Sequence, residues 1–217
     1  MEVDVIMLVN SKSPPLIEMT QKAINTLHQS EKDHTFLIQL MESNRDSNHQ
    51  YKGCTQHSPE PPFNYNGYML EGMAKSNNEW VVLANNDLVF HPDWFSGILK
   101  ASEELSDVKS FSSFTPAHQA TMKEPYYVQY GIGTYVTGWC LTVKREVFDI
   151  MTLDTCVSFW CSDNVYQDDL IKHGIKHALV RDSVVTHLGG QTLFTMGDKI
   201  HDLTGGQVVL YNQRGKV

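Results

Sequence analysis

The sequence predicts an α/β domain with a single open, mostly parallel central sheet, and three observations carry that prediction. The run Trp80 to Ala84 is apolar without alternation, as strands covered on both faces are, and Val3 to Val9 reads as a first core strand. Apolar residues at helical spacing join that first strand to a second, giving a β-α-β unit. The Trp80 run stops at Asn85-Asn86-Asp87, and open α/β sheets hold their ligands at the carboxyl ends of such strands.

The elements follow in order. After the first strand comes the loop Asn10-Ser11-Lys12-Ser13-Pro14-Pro15, in which Pro14 behind Ser13 signals a helix start. Ile17, Ile24 and Leu27 then recur on one helical face. Phe36 to Met41 is the second strand and ends at Glu42-Ser43-Asn44; a unit of this length implies a parallel pair with a right-handed crossover. Residues 44–62, polar and containing Pro59, Pro61 and Pro62, read as a loop. Asn64 to Ser76 reads as a helix feeding the Trp80 strand, and Asp93 to Leu105 as another, starting at Pro92-Asp93. Val108 to Phe114 is a strand, and residues 115–134 are irregular, with Tyr126, Tyr127 and Tyr130 near Gly131 and Gly133. Val136 to Val143 reads as a strand and Arg145 to Met151 as a short helix. Asp163 to His173 is a helix closed by Gly174. His177 to Val180 and Val184 to His187 read as two short strands, and 189–217 as a Gly-rich tail without assigned structure. No internal repeat or long linker divides the chain, so one domain is expected over 1–217.

Composition narrows the function. The 217 residues are 41% hydrophobic and 19% charged, with a net charge of -8 and a pI near 5.6. That balance leaves no electrostatic footprint for tight nonspecific nucleic-acid binding, although a local basic groove stays open. No apolar run approaches the roughly 20 residues of a membrane span. The opening Met-Glu-Val-Asp-Val is too acidic for a signal peptide, so a cytoplasmic location is expected. Cys54, Cys140, Cys156 and Cys161 form no CxxC pair, which argues against structural zinc and for free thiols. The ten histidines are scattered without an HExxH pattern, so a zinc hydrolase is set aside.

Asp87, with two amides beside it, suits a hard divalent cation carrying phosphates. Asn and Asp also dominate turns, so the triplet alone supports a plain turn equally. Other pieces stand in a definite order around it: Val9-Asn10-Ser11 at the end of the first strand, Glu42-Ser43-Asn44 after the second, and Asn64-Tyr65-Asn66-Gly67 at a helix start. Asp93-Trp94 follows the triplet, then come Thr137 to Phe148, Phe159 to Asn164, Val184 to His187, and Gly189-Gly190-Gln191-Thr192. In this order they resemble the family 2-type inverting glycosyltransferases with a GT-A (Rossmann-like) fold, over nearly the whole chain. The Asp163 piece is partial: Ser162 stands where the family has Glu, and Val165 follows Asn164.

The resemblance implies a metal-dependent enzyme that moves a sugar with inversion from a nucleotide-sugar, by default a UDP-sugar, to an acceptor hydroxyl on a glycan or small molecule. Residues 1–110 would bind the donor and 111–217 the acceptor. Asp87, with His187 as second ligand, would hold Mn²⁺ or Mg²⁺; His187 also reads as an ordinary histidine at a strand end. Val9, Asn10, Ser11 and Glu42 would read base and ribose, though Glu42 also fits an exposed strand-end charge. Asn66 would join the donor site, and Asn85 and Asn86 would touch ribose or phosphate or hold the turn. Asp163 would deprotonate the acceptor, or cap its helix in competition with Ser162. Asp168 and Asp169 fit a solvated face, with a base as the fallback role. Trp139 and Trp160 would flank the acceptor, and Tyr126, Tyr127 and Tyr130 could stack on sugar or base rings. Lys12, Lys144 and Arg145 read as solvated residues or phosphate contacts.

Three other readings differ in class. Phage-type relatives glycosylate hydroxymethylated pyrimidines in DNA, an acceptor the acidic charge disfavours. The partial Asp163 piece also fits a non-catalytic nucleotide-sugar-binding module. A nucleotidyltransferase would carry a Gly-rich loop after strand one, and Asn10 to Pro14 has no glycine.

Overall fold

The computed structural model of the chain describes residues 1–191 and 199–214, the side chains of 199–203 excepted. The strands are β1 (Glu2–Val9), β2 (Thr35–Glu42), β3 (Thr55–His57), β4 (Trp80–Asn85), β5 (Leu88–Phe90), β6 (Val108–Phe114), β7 (Tyr126–Val128), β8 (Cys140–Lys144) and β9 (Lys176–His187). The helices are α1 (Pro14–Ser30), α2 (Tyr65–Met73), α3 (Trp94–Glu104), α4 (Pro116–Gln119), α5 (Val147–Ile150), α6 (Ser162–Lys172) and α7 (Lys199–Gln213). The nine strands form one sheet in the order β3-β2-β1-β4-β8-β6-β9-β5, with β7 also on β9. Six strands run one way; β8, β5 and β7 oppose them. The mixed but mostly parallel α/β sheet is as the sequence predicts.

The pattern of β1 explains the layering. Val3, Val5, Met7 and Val9 face one core with Ile24 and Leu27 of α1 and Trp94 and Phe95 of α3. Ile6 and Leu8 face the other, with Met69 and Met73 of α2 and Tyr166 and Leu170 of α6. Successive strand residues point to opposite faces, and the apolar run Val5 to Val9 therefore feeds two cores. Helix α3 begins at Pro92-Asp93 as expected, but Asp93 does not cap it. Glu31 does, accepting from the Phe95 and Ser96 amides at 2.6 and 2.8 Å.

Several elements depart from the sequence reading. β3 lies inside the expected 44–62 loop, pairing with β2 through backbone bonds that its polar residues do not announce. β5, of three residues, is too short to show a period. The two short strands expected at 177–180 and 184–187 are one strand, β9, with a register shift against β6 between Val180 and Val184. Gly97 of α3 permits that bulge: a Cβ there would stand 2.9 Å from the Asp182 carbonyl carbon and the Ser183 nitrogen. β8 starts only at Cys140. The tail contains α7 despite Gly205 and Gly206, each unfavourable in a helix by about 1 kcal/mol. Thr192 lies outside the described residues.

Arg145 and Lys144 are at the wrong end of the sheet for phosphate or acceptor. β8 runs antiparallel to β4 with Lys144 opposite Trp80, so both lie where β4 begins. Lys144 sits over the Trp80 ring at 5.3 Å. Arg145 Nη2 meets Asp4 Oδ2 at 2.6 Å, and Asn78 donates to the same carboxylate through its backbone and side chain. Asp4 is fully buried, and stranding a buried charge is expensive. Arg145→Ala is therefore expected to lower stability by about 3–5 kcal/mol, read as the change in urea midpoint at constant m.

A second buried polar group ties β6 to β9. His177 Nδ1 accepts from Ser110 at 2.7 Å, and its Nε2 donates to the Tyr135 carbonyl at 3.1 Å. Burial pushes the His177 pKa down to about 4. The unfolded chain binds this proton near pH 6.5. Stability from this site is thus complete above pH 6.5 and is lost as pH falls towards 4. His177→Gln keeps hydrogen-bonding capacity and cannot titrate; its Tm should fall less than wild type's between pH 6.5 and 4.

Candidate functional site

The carboxyl ends of β1, β2 and β4 lie side by side, because the three strands are parallel neighbours. At the β1–β2 edge, Glu42 is not an exposed charge: it is 2% exposed. Its carboxylate accepts from the Ser11 amide at 3.2 Å, the Asn44 amide at 2.7 Å and the Ser11 hydroxyl. Ser11 Oγ also meets the Tyr51 hydroxyl at 2.6 Å. The Val9 carbonyl accepts twice from Ser43, at 2.9 Å each. These bonds fix the loop after β1. Asn10 Oδ1, within it, is buried without a partner.

At the end of β4 the triplet divides its work. The Asn85 amide donates to the Trp139 carbonyl at 2.9 Å, and its side-chain oxygen accepts from Tyr65 OH at 3.1 Å. Asn86 is buried and donates to Thr20 Oγ1 at 2.8 Å, which locks the turn to α1. Asp87 is 4% exposed. Antiparallel pairing of β5 with β9 sets Leu88 opposite His187, and the Leu188 amide donates to the Asp87 carbonyl at 2.9 Å. His187 Nε2 thereby stands 3.3 Å from Asp87 Oδ2. The two atoms are close without hydrogen-bond alignment: Asp87 Oδ1 and both ring nitrogens of His187 are buried and unpartnered. The imidazole lies flat on Trp139, ring centroids 4.8 Å apart at 13°. Trp139 Nε1 is itself held by Thr115 Oγ1 at 3.0 Å. His118, exposed on α4, has its ring 6.1 Å from that of His187.

Asp163 occupies the first turn of α6. Neither it nor Ser162 is the N-cap; Cys161 is, with a left-handed backbone (φ 69°) unusual for a non-glycine residue. Ser162 Oγ instead donates to the Phe159 carbonyl at 2.6 Å. Asp163 Oδ1 accepts the Asn164 amide at 3.0 Å. Burial raises its pKa above the ordinary carboxylate value, against the lowering effect of that amide. Gly138 makes room for it, since a Cβ there would stand 2.7 Å from the Asp163 Cβ. Tyr65 bridges the two centres: its hydroxyl reaches Asn85 and, at 3.4 Å, the Gly138 carbonyl. Desolvation and then the Asp163 and Asp87 charges raise its pKa.

Other expected residues sit elsewhere. Asn66 is 2% exposed and donates to the Asp154 carbonyl at 2.7 Å, so it fastens α2 to the 154 loop rather than facing a ligand. Asp169 is not on a solvated face: it is buried and paired with Arg214, and Asp168 pairs with Arg214 at 3.4 Å. Neither is free to act as a base. Tyr126 and Tyr127 pair along the first half of β9 and Tyr130 bonds the Ile175 carbonyl, whereas His187 ends that strand. Trp160 is 42% exposed beside α6, and Trp139 backs His187 rather than standing open to an acceptor. Tyr65, Gly138 and His118 carry no local signal that singles them out, although Tyr65 and Gly138 lie within the Asn64 to Gly67 and Thr137 to Phe148 stretches.

No family model matches the chain, and no curated protein matches it in sequence. Among solved structures, it is similar to the mannosyltransferase PcManGT from Pyrobaculum calidifontis in complex with GDP-Man and Mn²⁺, with a TM-score of 0.61 at 14% identity. The match covers 85% of this chain and 56% of that enzyme, so the chain spans little more than half its length. At this identity the likeness is one of fold. No helix among the described residues is long and apolar enough to cross a membrane.

Because the folded protein favours protonated Asp163, stability falls as pH rises through its raised pKa and stays reduced above it. Asn removes that penalty and keeps the acceptor for the Asn164 amide. Asp163→Asn is expected to leave Tm at pH 7 unchanged or higher, by calorimetry.

Proposed function

We propose that the chain is a metal-dependent glycosyltransferase that moves a sugar from a nucleotide-sugar to an acceptor hydroxyl. One observation carries this reading: the buried Asp87 carboxylate and the His187 imidazole, each with polar atoms left unpartnered, stand 3.3 Å apart at His187 Nε2 where the parallel strands end. Burying such groups unpaired is unfavourable unless a ligand satisfies them. The donor set fits a divalent cation, with Asp87 and His187 as its protein ligands. Among the described residues no group of three or more His, Cys, Asp and Glu side chains could hold an ion. Two protein ligands leave positions for diphosphate oxygens and water, the usual arrangement for Mg²⁺ or Mn²⁺ on nucleotide substrates. Held by Asp87 and His187, such an ion would supply positive charge to a departing diphosphate.

The chain's own groups do the rest. The Glu42–Ser11–Asn44 bonds hold the β1 loop in shape for base and ribose, with Asn10 Oδ1 unspent inside it. Trp139 holds the His187 ring plane, and Tyr65 holds Asn85. Asp163, across Gly138 and Tyr65 from the metal pair, takes the proton of the attacking acceptor hydroxyl; its raised pKa brings it nearer the working pH of a general base. A single base opposite the leaving group gives inversion. Residues 1–110 form the donor half with His187 lent by the second half, and 111–217 the acceptor half, where Trp160 is the exposed ring. The acceptor is a glycan or small molecule: the net charge of -8 supplies no basic stripe for a DNA backbone.

A thermal-shift panel of UDP-, GDP-, CMP- and dTDP-sugars with and without Mn²⁺ tests the donor. A ligand at 100 times its Kd should add about 2.7 kcal/mol of stability. Asp87→Ala and His187→Ala should abolish the metal-dependent part of that shift; equal donor affinity with and without metal would overturn the ligand assignment. Asp163→Asn should bind donor normally and slow transfer about 10²–10⁴-fold. Binding without turnover in wild type would mark a non-catalytic module.

A further inference from the structure

Asp163 is reached through one stretch of chain, the 154–161 loop, and that loop is held from two sides. Helix α2 holds it on one: Asn64 Nδ2 donates to the Thr155 and Val157 carbonyls at 3.0 Å each, and the Tyr65 amide to the Ser158 carbonyl at 2.7 Å. Helix α7 holds it on the other, where Gln207 Oε1 accepts from the Ser158 amide at 2.5 Å and the Phe159 amide at 3.4 Å.

Arg214, just beyond α7, adds a bond of a different kind. Its Nε meets Asp154 Oδ2 at 2.7 Å, its Nη1 meets Asp168 Oδ2 at 3.4 Å, and its Nη2 contacts Asp169 Oδ1. Asp154 opens the loop that leads into α6, and Asp168 and Asp169 lie beyond Asp163 on α6. One guanidinium thus joins a point before Asp163 to two points after it. These groups, with Lys172 and Tyr211, line a groove of about 600 Å³. Three carboxylates converge there, and Asp169 is 5% exposed with its second oxygen unpartnered. Without Arg214 they would repel, and a buried carboxylate would have to move towards water.

The packing of α7 separates this role from ordinary core building. Among the described side chains of α7, Val208, Val209 and Leu210 are exposed and the buried one is the polar Gln207. Those described side chains attach the helix to the loop and to α6 by polar contacts.

We propose that Arg214 is a positioning residue: by clamping Asp154 to Asp168 and Asp169 it sets the 154–161 loop, and with it the placement of Asp163 and the acceptor-side Trp160. The proposal rests on the reading of Asp163 as the base. A planar fork suits three carboxylates better than a point charge, so Arg214→Lys should restore part of what Arg214→Ala loses.

The test uses the full chain in three variants, Arg214→Ala, Arg214→Lys and Gln207→Ala. Amide exchange by mass spectrometry follows residues 155–163 against β1 and β4. Nucleoside diphosphate release is measured well below Tm, from the sugar nucleotide chosen by the donor panel. Arg214→Ala should speed exchange in 155–163 roughly ten-fold or more and leave β1 and β4 protected. It should cut turnover per folded molecule at least as much, keep donor Kd within about two-fold, and recover partly in Arg214→Lys. A merely stabilising Arg214 would lower Tm and leave turnover per folded molecule unchanged; that result, or unchanged exchange in 155–163, overturns the proposal. Should Arg214→Ala not fold, Gln207→Ala reads the same exchange and turnover. A wild type that releases no diphosphate refutes the catalytic reading, while the exchange arm still decides the clamp.

Discussion

The pairing of β5 with the last residues of β9 determines what the carboxyl end of this sheet can be. Three residues, Leu88 to Phe90, run back along Val185 to His187, and that register brings the residue after Asn86 beside a histidine from late in the chain. A slip of one position would turn the His187 side chain to the other face of the strand. The stacking of Trp139 on the imidazole follows from that placement together with the β4–β8 pairing, which bonds the Asn85 amide to the Trp139 carbonyl. The bulge before Val184, which Gly97 accommodates, sets the angle at which β9 arrives.

The two ends of the strands are treated in opposite ways. Where β1 and β4 begin, the buried Asp4 is fully answered by Arg145 and Asn78. Where they finish, Asp87, His187 and Asn10 keep polar atoms buried and unanswered. Leaving such polar atoms buried and unpaired costs stability, and binding sites are where such local conflicts are expected.

How much was readable in the sequence followed from the kind of signal each element carries. β1, β4, α1 and α6 announce themselves through apolar runs, helical spacing and a glycine stop. β3 and β5 do not, because three residues held by backbone bonds need no side-chain period. The pair Asp87 and His187 was legible only through motif order, since a hundred positions separate them and no local spacing links them. Asn66 and Arg145 show the opposite error: each sits in a stretch that resembles a ligand motif, yet the fold consumes its side chain. Gly138, Tyr65 and the three carboxylates on Arg214 are products of tertiary packing, and no window of sequence contains them together.

The distance along the chain between Asp87 and His187 has a mechanical meaning. A ligand gripped by both closes a loop of about a hundred residues, as a crosslink does, and limits the unfolded chain as well as filling a site. Unlike a disulfide, such a ligand would come and go with its concentration. Loaded, the two halves of the sheet would unfold together; unloaded, the three-residue β5 would be a natural place for the edge to fray first. The molecule would then carry in its own cohesion a reading of how much donor surrounds it.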